Sequence, residues 1–205
     1  MAARTVCLLF LTSILGAAPV IRDVYPRGAQ RGRTIRITVR GDGLLAGAQL
    51  RTSLPANISR LAPPRDMAKP DSELPFLVEI RKDAPLGFYP LRLVAADGIS
   101  NVVLFAIGDL PETEEIESQN PKALNGATRE AQPLEVPVVV NGDLAGADVD
   151  HYSFTAKAGE KLVFEVEARR AGSAIDPAIE ILDPAGRVIA RNDDGIGADI
   201  DSRFE

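Results

Sequence analysis

The side chains that most often carry chemistry are scarce in these 205 residues: one histidine, His151, one cysteine, Cys7, and no tryptophan. A single thiol builds neither a disulfide framework nor a cysteine zinc site, because both need several thiols at set spacing. Any Ser-His-Asp arrangement would have to use His151. That residue lies between Asp150 and Tyr152, in a run where Tyr152 and Phe154 alternate with Ser153 and Thr155. With the aromatics turned inward, the imidazole is expected on the solvent side. No pair of carboxylates is marked by its context for glycosidase-type acid/base work. The residue types therefore lean away from catalysis, with no catalytic and no organic cofactor-binding residue to name.

Carboxylates are the one chemically suggestive group. Hard cations such as Ca²⁺ take about six to eight oxygen ligands, so clustered Asp, Glu and Asn on loops suffice without histidine or cysteine. Two clusters qualify: Glu115, Glu117 and Asn120 with Asp143 beyond them, and Asp193, Asp194, Asp199 and Asp201. Neither has the spacing of an EF-hand loop. The first set, Glu115, Glu117, Asn120 and Asp143, is the candidate metal site and Ca²⁺ the only cofactor it suits. The plainer alternative is that these are solvated linker and turn acids.

Charge divides the chain. Residues 1–110 carry 14 Lys and Arg against 9 Asp and Glu, whereas residues 111–205 carry 9 against 20, within an overall charge of −6. Such a split suggests two units with different surfaces. Arg27, Arg31, Arg33, Arg36 and Arg40 have no aromatic residues among them for base stacking, so they read as the polar side of a strand and its turn, with no nucleic-acid partner.

The elements that position these residues are strands. In Thr34–Arg40 every second residue is apolar, which sets Ile35, Ile37 and Val39 on one face. Phe76–Arg81, Tyr89–Val94 and Val102–Ile107 are similar β-rich runs, separated by turns such as Asp83–Gly87 and Ala96–Gly98. Pro55–Leu74 reads as a long irregular connection. The acidic stretch around Glu112–Glu117 reads as a linker. Strand patterns resume at Leu134–Val140, Tyr152–Phe154 and Lys161–Ala168, where Leu162, Phe164, Val166 and Ala168 form an inward row. Ile179–Ile181 and Val188–Ala190 flank the turn Asp183–Gly186 as a hairpin. Before all of this, Arg4, the apolar stretch from Val6 to Leu15 and the small residues Gly16, Ala17 and Ala18 have the pattern of an export signal. The stretch is shorter than the roughly 20 apolar residues a membrane span needs, and no later segment approaches that length.

Two resemblances follow from these residues. Pro19–Pro26 with Gly28, Gly32-Arg33-Thr34 and Arg40-Gly41-Asp42-Gly43-Leu44 resembles the opening of the IPT/TIG immunoglobulin-like domain, and Asp83–Tyr89 with Asp97–Asn101 resembles its closing strands. Asn141-Gly142-Asp143, Asp148–Phe154, Ala158–Leu162, Ile175-Asp176-Pro177, Leu182–Gly186 and Asn192-Asp193-Asp194 together resemble the bacterial pre-peptidase C-terminal (PPC) domain. That resemblance implies a non-catalytic jelly-roll sandwich of the kind attached to secreted proteases. It also implies that Asp199–Glu205 approaches a late strand whose closing partners are missing, so the second domain is expected to be cut short. Collagen-binding domains similar to PPC modules bind calcium through linker carboxylates, which singles out the first acidic cluster.

The sequence thus leads to an all-β protein of two β-sandwich modules, Ig-like and then jelly-roll-like. The expected divisions are a signal at 1–18, an IPT/TIG-like sandwich at 19–109, an acidic linker at 110–132 and an incomplete PPC-like sandwich at 133–205. The expected role is a non-catalytic accessory or binding region that spaces, stabilises or docks a larger exported bacterial protein. The location implied is secreted or cell-envelope, and an extracellular protein or polysaccharide surface is the class of partner. Two alternatives stay open: the N-terminal part of a secreted hydrolase, a peptidase by the PPC resemblance, whose catalytic domain lies outside these residues, and a calcium-dependent adhesin or matrix-binding module.

Overall fold

The computed structural model describes residues 17–44, 47–62, 72–116, 131–144, 149–194 and 201–204. The expected export signal, as far as Gly16, and the candidates Glu117, Asn120 and Asp199 lie outside the described residues. All regular structure among the described residues is β, which establishes the all-β class.

The first unit comprises β1 (Val20–Tyr25), β2 (Gly28–Gln30), β3 (Thr34–Asp42), β4 (Gln49–Thr52), β5 (Ala56–Arg60), β6 (Glu73–Ile80), β7 (Gly87–Ala95), β8 (Gly98–Ile99) and β9 (Val103–Gly108). One sheet has the order β1-β3-β6-β5 and the other β2-β9-β7-β4, with β8 added to β7. The first strand is divided: β1 pairs antiparallel with β3, and after Pro26 and Arg27 the chain crosses over so that β2 pairs parallel with β9. Read in chain order, this is the two-sheet arrangement of an immunoglobulin-like sandwich, four strands facing three plus the crossed-over first strand.

Alternation drives the assembly. Ile37 and Val39 of β3, Leu74, Phe76, Val78 and Ile80 of β6, Leu91 and Leu93 of β7, and Phe105 and Ile107 of β9 all point between the sheets and are buried. A core of this kind, continuous from sheet to sheet, is what holds the sandwich together. Two polar devices close it. Asn101 accepts from the Ile21 N–H (2.8 Å) and donates to the Ile21 carbonyl (2.9 Å), so one side-chain amide ties β1 to the loop before β9. The buried Ser100 hydroxyl accepts from the Leu93 N–H at 2.9 Å. Gly41 lies so close to β1 that a Cβ there would run into the Val20 carbonyl oxygen, beside the register shift between Ile21 and Asp23.

One sequence expectation fails in this unit. Pro55–Leu74 is not irregular throughout: Ala56–Arg60 forms β5, paired antiparallel with β6 from Ala56↔Ile80 to Arg60↔Phe76. Its alternation is masked because β5 is an edge strand with only Ala56 and Ile58 packed against the core, while Asn57 and Ser59 face solvent.

The second half is built from two-stranded ladders among the described residues. β10 (Glu112–Glu114) runs parallel to β12 (Val139–Asn141), and β11 (Gln132–Pro133) runs parallel to β13 (Tyr152–Ser153). β14 (Phe164–Glu165) pairs with β17 (Arg203–Phe204), and β15 (Ile179–Leu182) pairs with β16 (Val188–Asn192). The last is the expected hairpin, its turn held by Asp183, whose carboxylate accepts from the N–H groups of Ala185 and Arg187. Leu134–Val140 and Lys161–Ala168 are strands over only part of their length, yet their burial alternates throughout, with Leu162, Phe164 and Val166 half-buried and Ala168 buried. Phe154 and Phe164 meet with ring centroids 5.3 Å apart. Strand β10 lies within the acidic 110–132 stretch expected as a linker, and β11 begins at its last residue, Gln132.

Candidate functional site

Of the acidic residues singled out by type, Glu115 and Asp143 lie where the first unit meets the second. Residues 111–116 lie along β12: the Val139 N–H donates to the Pro111 carbonyl (2.9 Å) and the Glu115 N–H to the Asn141 carbonyl (2.8 Å). On the other side, the buried side chain of Gln132 acts like a further strand. Its Oε1 accepts from the Ile116 N–H at 2.9 Å and its Nε2 donates to the Glu114 carbonyl at 3.1 Å. A glutamate-rich segment is thereby fixed by backbone pairing, which does not depend on side-chain hydrophobicity.

Of the four candidate metal ligands, the structure brings Glu115 and Asp143 together. Glu115 Oε2 accepts from the Asp143 N–H at 3.1 Å, and Oε1 accepts from the Tyr152 hydroxyl at 3.1 Å. Gly142 is the close neighbour that permits this, since a Cβ there would sit 2.6 Å from Glu115 Oε2. The carboxylate thus closes the Asn141-Gly142-Asp143 turn. Among the described residues, no group of three or more His, Cys, Asp and Glu side chains is arranged to hold a metal ion.

Tyr25 reaches this place from the end of β1. Its hydroxyl donates to the Asn141 carbonyl at 3.3 Å, and the Arg40 guanidinium lies 5.6 Å from its ring centroid. Burial, together with the nearby Glu114 and Glu115 carboxylates, pushes the phenol above its ordinary value, against the opposing effect of Arg40. Glu112, at the start of β10, accepts from Asn141 Nδ2 at 2.8 Å. Burial raises its carboxyl above the ordinary glutamate value and the charge of Glu167 adds to the rise, while the Asn141 bond opposes it. Glu167 is likewise raised by burial.

The second acidic cluster separates. Asp193 forms an ion pair with Arg191 at 3.6 Å, but Asp201 is 1% exposed and serves the fold. Its oxygens accept from the N–H groups of Arg169 (2.7 Å) and Arg170 (3.1 Å) and from Arg170 Nε (3.2 Å). Burial alone pushes this carboxyl up. The Arg170 and Arg169 N–H groups and the Arg170 guanidinium together outweigh it and hold the carboxyl below the ordinary aspartate value. Ser202, also buried, donates to the Pro177 carbonyl at 2.5 Å and its own carbonyl accepts from the Val166 N–H. The sequence signal for this role was a single charged residue followed by Ser202 and Arg203, which reads as surface until the turn at 168–173 is seen wrapped around it.

His151 departs from the expected solvent side. It is half-buried, its Nδ1 is enclosed without a hydrogen-bond partner, and its carbonyl accepts from the Gln132 N–H at 2.9 Å. Packing of β13 against β11 draws it in.

These features define an immunoglobulin-like sandwich followed by a second β unit and joined to it by a bonded, carboxylate-rich strand. No family model matches the chain. Over 53 residues, a quarter of its length, the chain is 43% identical to the Probable subtilase-type serine protease of Deinococcus radiodurans, and it spans 7% of that protein. The crystal structure of the Lin-41 filamin domain is matched across 45% of this chain and 99% of that domain, at 15% identity and a TM-score of 0.32. The strand order, rather than this likeness, defines the fold. No helix among the described residues is long and apolar enough to cross a membrane.

Proposed function

We propose that the chain is a non-catalytic accessory region of an exported bacterial protein, an IPT/TIG-like module followed by a PPC-like module, which spaces or docks a larger secreted or envelope protein. The observation that carries this reading is the bonded junction. Strand β10 is laid directly on β12 and Tyr25 of the first unit bonds to Asn141 of the second, as suits a spacer that holds its neighbours in register. The test is hydrolysis of casein and of chromogenic glycosides by the purified chain. No turnover above buffer is expected, and turnover abolished by His151→Ala would overturn the reading.

A second reading has its own support in the stretch 43% identical to a subtilase-type protease: the same modules as the front of a secreted peptidase. Sequencing the whole reading frame distinguishes it, because a nucleophile-bearing domain in the same frame would turn the accessory region into part of an enzyme. Export is checked by mass spectrometry of the protein recovered outside the cytoplasm, where loss of residues 1–18 is expected.

A further inference from the structure

We infer that the outer face of the β2-β9-β7-β4 sheet is a docking surface for an extended polypeptide segment that alternates apolar and acidic side chains. An antiparallel sheet with one face in water alternates apolar and polar residues. The other sheet of the sandwich does so along β3 and β5, presenting Thr34, Arg36, Asn57 and Ser59 outward, while in β6 the buried Pro75 and half-buried Leu77 precede the exposed Glu79. Strand β9 does not: Val103, Phe105 and Ile107 turn to the core, and Leu104 and Ala106, which alternate with them, are apolar as well. Continuous apolar character of this kind belongs to strands covered on both faces.

Register places the outward residues side by side. Phe88 lies opposite Ala106 and Pro90 opposite Leu104, with Val102 just before β9. Phe88 and Val102 are each 38% exposed and Pro90 is exposed, so this apolar strip is uncovered among the described residues. At its β4 end, Arg51 and Arg92 face each other directly across the ladder. Like charges in that position destabilise a sheet, and neither guanidinium has a carboxylate partner among the described residues. Arg51 bonds to Gln49 Oε1 and Arg92 to the Ser100 carbonyl.

The chemistry of the occupant follows. The outward positions of β4, β7 and β9 include no acid, so a second copy presenting the same face would add cations to cations. A lipid surface fits less well, since Leu104 and Ala106 at the middle of the strip are half-buried, where the side chains of a strand packing at about 10 Å can interdigitate with them. A strand with apolar residues on one side and carboxylates toward Arg51 and Arg92 satisfies both the strip and the charges.

This surface extends the docking role proposed above, and its test is separate from the hydrolysis assay: a chain that hydrolyses nothing and binds no acidic strand keeps the accessory reading and loses this one. The probes are fluorescein-labelled decapeptides of alternating Glu and Val and of alternating Lys and Val, with phosphatidylglycerol vesicles as a third arm, each titrated against the full chain by anisotropy or co-sedimentation. Saturable binding of the Glu/Val peptide is expected, weakened about tenfold by the Arg51→Glu, Arg92→Glu pair, which should gain affinity for the Lys/Val peptide. Phe88→Ala should weaken binding while leaving its salt dependence unchanged. The inference is overturned by no binding, by equal binding of both peptides, or by binding to vesicles alone.

Discussion

The buried Asp201 carboxylate holds the turn at 168–173 of the second unit in place. Enclosed among N–H donors and the Arg170 guanidinium, it gains from being ionised, because its hydrogen bonds are made to a charge. Asp201→Asn keeps the shape and loses that charge, and a cost of about 2–3 kcal/mol to the second unit is expected by urea titration. The pH dependence has a definite sign. A carboxyl held below its unfolded value contributes stability that is complete above about pH 4 and is lost as pH falls through the lower folded value. Glu112 works in the opposite direction. Its folded carboxyl holds the proton to higher pH than the unfolded one, so ionisation penalises the folded form and stability declines as pH rises upward from about 4.3. Glu112→Gln keeps an acceptor for Asn141 and should flatten that decline, measured as thermal midpoints from pH 4 to 7. Glu115 tests the cation reading. With both carboxylate oxygens already engaged by Asp143 and Tyr152, millimolar Ca²⁺ is expected to leave the melting temperature unchanged, and a rise that Glu115→Gln abolishes would establish a calcium site.

At the scale of elements, what the sequence made legible and what it hid divide along one physical line. Strands β3, β6, β7 and β9 were readable because each buries a full row of large apolar residues, so alternation or continuous hydrophobicity survives in the letters. Strand β5 hides because only Ala56 and Ile58 face the core, and β10 hides because Glu112-Thr113-Glu114 contributes no core at all. It exists through backbone pairing to β12 and the side chain of Gln132, partners that lie beyond any local window. The candidate site shows the same limit. The residue types of Glu115 and Asp143 marked them as a candidate cluster, but the turn-closing hydrogen bonds that use the carboxylate depend on Tyr152 and Gly142, which no spacing rule connects. If β10 rests on Gln132, then Gln132→Ala removes both of its bonds, to the Ile116 N–H and the Glu114 carbonyl. A loss of about 1–2 kcal/mol is expected, with faster hydrogen exchange at the Ile116 amide and no change at core amides such as that of Phe105. Uniform acceleration across both units would show instead that the clasp is global.

For the whole molecule, the distribution of buried apolar side chains decides the order of unfolding. The first unit encloses Phe76, Phe105, Leu74, Leu91, Leu93 and their neighbours in one continuous core. Among the described residues of the second half, the fully buried hydrophobics beside Pro177 are Ala168 and Ala171, while Val163, Val188 and Ile189 are more than half exposed. Burial of large side chains is the dominant favourable term in folding, and local stability follows it. The polar devices at Asp201, Ser202 and Gln132 fix geometry but each contributes only about 1–3 kcal/mol. The two units are therefore expected to unfold separately in urea, the second half at the lower concentration. Limited proteolysis should then cut first in the second half and leave a protected fragment that contains 19–109. The junction sets how far this separation goes. Tyr25 couples the units through one 3.3 Å bond to Asn141, so Tyr25→Phe should widen the gap between the two transitions by lowering the first and leaving the second in place. A single cooperative transition in the unmodified chain, with both halves equally resistant to protease, would mean that the carboxylate-rich junction binds the units into one folding body.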